Sequence, residues 1–293
     1  MDIARTPAHR FEDLPDFPWQ PHYLEEVGPA RMAVIDEGPE DAEHVFLCLH
    51  GQPTWSFLYR KMIPVFLQAG GRVVAPDMLG FGRSDKPIDD GFYTFDMHRG
   101  CLVNLIEHLD LKNITLVCQD WGGLLGLTLP PHMPHRFRRL IVMNTGLGVG
   151  VPPGKGFLQW LDFVRTNPDF DVGRLMKRSH PSLSDAEVAA YEAPFPTTEH
   201  KAGVRTFPLL VPITPDAPGA ALSREAAAWW NQSWSGPTFM AVGQNDPVLG
   251  PEVMRVLQNI IRGCPEPLML DVGHFVQEAG DVVAKAALEA FRA

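Results

Sequence analysis

Four short runs in the first half of the chain, residues 45–49 (VFLCL), 72–75 (RVVA), 114–118 (ITLVC) and 140–144 (LIVMN), are apolar at almost every position. Strands that must be dry on both faces read this way, which predicts a parallel sheet covered by helices. Between these runs, segments 57–67, 96–109 and 121–129 repeat their apolar residues three and four apart, the stripe of a crossover helix. Residues 30–37 (ARMAVIDE) alternate instead and predict an edge strand or hairpin arm at the start of the sheet.

The pattern changes near Gly148. As far as Glu225 no strand-like run occurs, prolines and aromatics increase, and helix starts appear, such as the capping box from Ser184 to Glu187. Strand and helix patterning then resumes with 237–243, 252–261, 267–272 and 277–291. The expected organisation is an α/β core in two parts, residues 1–148 and 228–293, around a helical insertion at 149–227. No fixed-period repeat is present, and the alanine-rich helix at 225–229 is the only biased tract.

Composition narrows the partners. Charged residues make up 20% of the 293 and apolar ones 45%, a balance that folds rather than stays disordered. The net charge of −10 and the lack of a basic block remove the electrostatic footprint for nucleic acid or an anionic membrane. The first residues mix charges and prolines, and no run reaches the ~18 apolar residues of a membrane span, so a cytoplasmic protein is expected. Cys48, Cys101, Cys118 and Cys264 have no metal or redox spacing and read as buried free thiols.

Three segments carry candidate chemistry, each placed just beyond a strand. In VCQDWGG (117–123), Cys118 and Gly122 flank Asp120 with small residues two positions away on either side, as a strained strand-to-helix elbow requires. Asp120 alone could simply cap a helix. However, GQND (243–246) places Asp246 after a later strand, and DVGHF (271–275) places His274 after the last. Nucleophile, acid, histidine is the chain order of an α/β-hydrolase site. A fourth segment, HGQPTW (50–55), follows a buried strand and can aim one N–H at the nucleophile. Paired with the N–H of Trp121, it would form an oxyanion hole. Gly80 and Gly82 lack the third glycine of a dinucleotide fingerprint, and Pro134 breaks the His132–His135 pair. No metal or cofactor is expected.

With HGQPTWSFLYRKMIP (50–64), GFGRSDKP (80–87), LVCQDWGGLLGL (116–127), APFPTTEHKAGVRTFP (193–208), GQNDPVLGP (243–251) and GCPEPLMLDVGHFVQE (263–278), nearly the whole chain resembles the haloalkane dehalogenases. They are α/β-hydrolases with an aspartate nucleophile, and this chain resembles the group whose catalytic acid follows the strand after the cap. Gln52 stands where relatives carry Glu or Asn, which leaves its backbone N–H unaffected. The resemblance implies Asp120 as nucleophile, His274 as base, Asp246 as its acid, and the N–H groups of Gln52 and Trp121 as oxyanion donors.

Halide leaves without a proton, so the first step needs only hydrogen-bond donors where negative charge develops. The indole of Trp121 can be one, and the resemblance places the second at Trp160. Leu124, Phe157, Phe207, Pro208 and Val248 are expected to complete a tight apolar pocket for short haloalkanes. The partners are then a small haloalkane and a halide ion, and the chain is expected to act as a monomer. The alternatives fare worse. An epoxide hydrolase needs phenols over the site, and Tyr191 is the only tyrosine in the insertion. A haloacid dehalogenase would need arginines after the nucleophile, and a binding protein would not need Asp120, Asp246 and His274 together.

Overall fold

The structure, a computed structural model, describes residues 1–292. At its centre are eight strands: β1 His22–Leu24, β2 Met32–Glu37, β3 Val45–Leu49, β4 Arg72–Pro76, β5 Ile114–Cys118, β6 Phe137–Met143, β7 Thr238–Gly243 and β8 Leu268–Leu270. They form one sheet in the order β1-β2-β4-β3-β5-β6-β7-β8. β2 runs antiparallel to both its neighbours and every other pairing is parallel. The expected mostly parallel α/β-hydrolase sheet is therefore present. Residues 30–37 are the hairpin arm rather than the edge, because the short β1 pairs antiparallel outside β2. β1 has only three residues, mostly exposed, and carries almost no hydrophobic signal.

β3, β5 and β7 are buried at every position, so helices must cover both faces. The helices are α1 Ile63–Gln68, α2 Phe95–His108, α3 Trp121–Gly126, α4 Leu129–His132, α5 Lys155–Thr166, α6 Val172–Ser179, α7 Asp185–Glu192, α8 Ala202–Thr206, α9 Ala220–Gln232, α10 Pro251–Ile260 and α11 Gly280–Ala290. Two predicted helices are broken. The 57–67 segment is a 3-10 turn, Ser56–Tyr59, followed by α1, with Pro64 in the first turn where its missing N–H costs nothing. The 121–129 segment stops at Gly126, and α4 begins with Pro130 in its own first turn.

Between β6 and β7 there are only helices and loops. α9 continues past residue 227, and the indole of Trp230 donates to Leu127 O on the core (2.7 Å). The expected boundary at 227 thus falls within a helix whose end is fastened to the sheet side. Cys48, Cys101 and Cys118 are buried as expected, whereas Cys264 is half-buried. No described helix is long and apolar enough to cross a membrane.

Register explains where a site can form. Leu49 pairs with Cys118, Cys118 with Val142, Met143 with Ala241 and Gly243 with Leu270, so the carboxyl ends of β3, β5, β6, β7 and β8 lie side by side. Ligands bind outside such ends in open α/β sheets.

Candidate active site

Asp120 leaves β5 at φ 51° and ψ −126°, a left-handed conformation that a non-glycine residue holds only under constraint. The constraint is close packing. Thr145 Oγ1 donates to Asp120 O (2.7 Å) and Asp120 N–H donates to Asn144 O (3.0 Å). A Cβ at Gly122 would lie 1.9 Å from Leu49 O, and one at Gly51 would lie 2.3 Å from the Asp120 carboxylate. Glycine at 51 and 122 lets two strand ends close on the carboxylate.

Gln52 N–H donates to Asp120 Oδ1 at 2.8 Å. His50 holds the loop in place: its Nδ1 lies 2.9 Å from Gly51 O and its Nε2 accepts from Met78 N–H (3.0 Å). The Gln52 amide faces away from the carboxylate and donates to Val204 O of α8 (2.9 Å). The residue that departs from the family pattern therefore ties the loop to the helical segment. Trp121 N–H opens α3, where no intrahelical acceptor exists for it.

Opposite the elbow, His274 Nδ1 lies 2.7 Å from Asp246 Oδ2, and its Nε2 lies 3.6 Å from Asp120 Oδ2. Asp246 is fully buried yet held as a carboxylate, since its oxygens also accept from Asn144 Nδ2 (2.9 Å) and Val248 N–H (2.8 Å). Burial alone would raise its pKa, but the hydrogen bonds and His274 hold it well below the usual carboxylate range. For His274 burial works to lower the pKa, but the carboxylates of Asp246 and Asp120 prevail and push it up to about 10.

Two polar residues escaped the sequence reading. Asn144 follows β6 and braces Asp246, and its side chain also exchanges two hydrogen bonds with the backbone of Gly243. Gln119, fully buried, brings its amide nitrogen to 2.9 Å from His274 Nε2. Asn144 stands one residue past β6, as Asp246 stands three past β7. Gln119 was overshadowed by its neighbour.

These groups face an apolar cavity of about 760 Å³. Asp120, Trp121, Gln52, Leu124, Trp160, Phe157, Pro208, Val248, Asp246 and His274 all line it. Phe207 does not. It is fully buried behind Trp121, with ring centroids 4.5 Å apart, and is wedged against Phe81 and His98. Pro208, the next residue, takes the wall position, and without Phe207 the cavity is roomier than the tight pocket expected.

Two of the seven tryptophans line the cavity. Trp55, Trp230 and Trp234 donate their indole N–H to Ala190 O, Leu127 O and Thr238 Oγ1. Among the described residues, Trp121 and Trp160 have no protein acceptor, although both line the cavity. Trp160 is stacked on Phe163 and edge-on to Phe170.

Tyr191 is buried away from the cavity. Its hydroxyl bonds Glu278 and Arg60, whose guanidinium also holds Glu278 (2.8 and 2.7 Å) and Glu187 of α7 (2.6 Å). The one phenol an epoxide-opening reaction would draw on is thus committed elsewhere.

Residues 44–281 match the family defined by the alpha/beta hydrolase fold. The chain is 45% identical over 295 residues to a haloalkane dehalogenase of Psychrobacter cryohalolentis, covering 97% of this chain and 96% of that one. It is 39% identical to one from Mycolicibacterium paratuberculosis, over 95% and 94% of the two chains. Among solved structures, the tetrameric haloalkane dehalogenase of Paraglaciecola agarilytica NO2 superposes with a TM-score of 0.97 at 51% identity, covering 99% of each chain. That of Bradyrhizobium elkani USDA94 gives 0.74 at 26% identity, over 92% of this chain and 98% of that one.

Proposed function

Because this chain belongs to the haloalkane dehalogenases, hydrolases that cleave carbon–halogen bonds on the α/β-hydrolase fold, we propose that it works through a covalent ester on Asp120, freed by His274. The observation that carries this reading is the pairing, across one apolar cavity, of a carboxylate on a strained elbow with two indole N–H groups that have no protein acceptor.

Asp120 attacks the halogen-bearing carbon, and the bonding pair leaves with the halide. Trp121 and Trp160 donate to the departing ion, where charge develops in a low-dielectric site. No proton moves in this step. Water then gives a proton to His274 Nε2 as its oxygen adds to the Asp120 carboxyl carbon, and the N–H groups of Gln52 and Trp121 hold the oxyanion. Collapse releases the alcohol, which takes the proton from His274, and restores the Asp120 carboxylate with loss of one proton to solvent.

The order of events suits the base. Asp120 is one of the two carboxylates that raise His274. Esterification removes that charge, so His274 loses its proton more readily just when an unprotonated imidazole is needed.

The helices and loops between β6 and α9 serve as a cap over the carboxyl ends of the strands, supplying Trp160, Phe157 and Pro208. Every group used comes from one chain, which supports catalysis by a single subunit. Short haloalkanes fit the cavity, and so do longer ones. The test is halide release from 1-bromoalkanes of increasing length, beside a terminal epoxide and a 2-bromo acid. Steady bromide release from the bromoalkanes is expected. Hydrolysis of the epoxide with no bromide release would overturn the reading.

A further inference from the structure

Gln119 takes no part in the reaction above, yet its amide nitrogen lies 2.9 Å from His274 Nε2, whereas the nearest Asp120 oxygen is 3.6 Å away. The same nitrogen donates to His274 O (3.2 Å), and Gln119 Oε1 accepts from Gln277 Nε2 (3.5 Å). Both glutamines are fully buried, and Gln277 Oε1 is without a hydrogen-bond partner. The ring of His274 is thus met by Asp246 at Nδ1, by Gln119 and Asp120 at Nε2, and by Phe275 edge-on at 4.9 Å. Asp246 and Asp120 are the charged groups among these.

If His274 is the base, its Nε2 must be hydrogen-bonded in two states, bare before it takes the proton from water and protonated after. A carboxylate can only accept and an ammonium can only donate, but a primary amide offers NH2 on one side and C=O on the other. With its NH2 turned to Nε2, Gln119 meets the bare nitrogen of the ester stage with a donor, whereas the protonated ring favoured beside the charged Asp120 needs the oxygen of the same amide. Turning the amide over brings Oε1 to accept from Nε2–H and sends NH2 toward Gln277, whose unpartnered Oε1 can be turned to meet it. Amide nitrogen and oxygen differ little in size, so the exchange needs no repacking, and it gives up the longer bond to His274 O in return for the one to Nε2–H.

We propose that Gln119, backed by Gln277, is a positioning residue that holds the His274 ring in both of its protonation states by turning its side-chain amide. The inference rests on the assignment of His274 as base. It accounts for a polar pair inside a buried core that otherwise leaves Gln277 Oε1 unsatisfied.

The test separates the two chemical steps in Gln119→Met, which keeps the length but cannot donate or accept from an amide, and Gln119→Glu, which can only accept. With 1,2-dibromoethane, bromide released in the first turnover reports attack by Asp120, and intact mass follows decay of the ester. Attack within about threefold of the parent and ester decay slowed about tenfold in Gln119→Met are expected, the weight of one buried hydrogen bond. In Gln119→Glu the pH midpoint of ester decay should rise, because the acceptor favours protonated His274. Gln277→Met should slow decay in the same direction but less. An unchanged decay rate and pH midpoint in Gln119→Glu would make Gln119 a packing residue, and equal loss of both steps in every variant would overturn positioning in favour of general damage. If His274→Gln hydrolyses the ester at the parent rate, the base assignment itself fails, and the proposal with it.

Discussion

His274 Nε2 and Asp120 Oδ2 face each other across 3.6 Å, beyond hydrogen-bond range, while the other nitrogen of the same ring is locked to Asp246 at 2.7 Å. His274 is oriented from behind and kept out of bonding reach of the carboxylate, an arrangement that suits the proposed role of acting on water beside an ester rather than activating Asp120.

A clean division of labour follows. His274→Gln should cleave one carbon–halogen bond per active site and stall, and intact mass after mixing with 1,2-dibromoethane should show one bromoethyl adduct on the peptide containing Asp120. Asp120→Asn should show none. Sustained turnover in His274→Gln, or an adduct elsewhere, would refute the assignment.

Trp160→Phe removes an indole N–H while retaining the ring that stacks on Phe163 and Phe170. Loss of one such donor costs roughly 3 kcal/mol in the transition state, on the order of a hundredfold in the rate of bromide release. Bromide affinity should fall and the thermal midpoint should stay put. An unaltered bromide affinity would reduce Trp160 to packing.

Two glycine substitutions should behave oppositely. Gly122→Ala would press its Cβ to 1.9 Å from Leu49 O, against backbone that cannot turn aside, so a loss above ~4 kcal/mol or no folded protein is expected. Gly100, inside α2, has nothing within 4 Å of its added Cβ, and Gly100→Ala should stabilise by about 0.5–1 kcal/mol. Urea midpoints measure both.

The pair of Arg60 and Glu278 sets an acid limit. Burial works to raise the Glu278 pKa, but the Arg60 hydrogen bonds and charge hold it below the ordinary value. A lowered folded pKa contributes stability above the unfolded value, and that stability is lost as pH falls through the folded one. Glu278→Gln leaves Arg60 with one fewer buried counter-charge and should cost about 3–5 kcal/mol at neutral pH. The variant should also lose part of the parent's fall in stability below the glutamate range. Urea unfolding at neutral and acidic pH reads both effects, and parallel pH profiles would contradict the coupling.

What the residue pattern revealed of this molecule was whatever neighbours in sequence could encode. The elbow around Asp120 and the placement of Asp246 and His274 just past strands are local, and so is the absence of strands between β6 and β7. Orientation was not: Phe207 and Pro208 are adjacent, yet one backs Trp121 and the other faces the cavity. Helix 57–67 failed at Pro64, whose preference for a first turn could have been read. The Arg60, Tyr191 and Glu278 cluster joins three distant segments, so no spacing announces it. Gln119 matters through a partner 155 residues away.

β8 has three residues, lies at the sheet edge and pairs only with β7, yet it delivers His274. Attack and release are therefore acquired at different times as the chain is made. The Asp120 elbow, Gln52 and the indoles are all synthesised well before His274, the residue proposed to clear the ester, and domains are built from the amino end during translation. A chain that failed to seat its last strand would hold a nucleophile without a means of discharge, and each carbon–halogen bond it broke would inactivate it. Under the proposed mechanism, completion of the sheet edge is what turns a single-use alkyl acceptor into a catalyst.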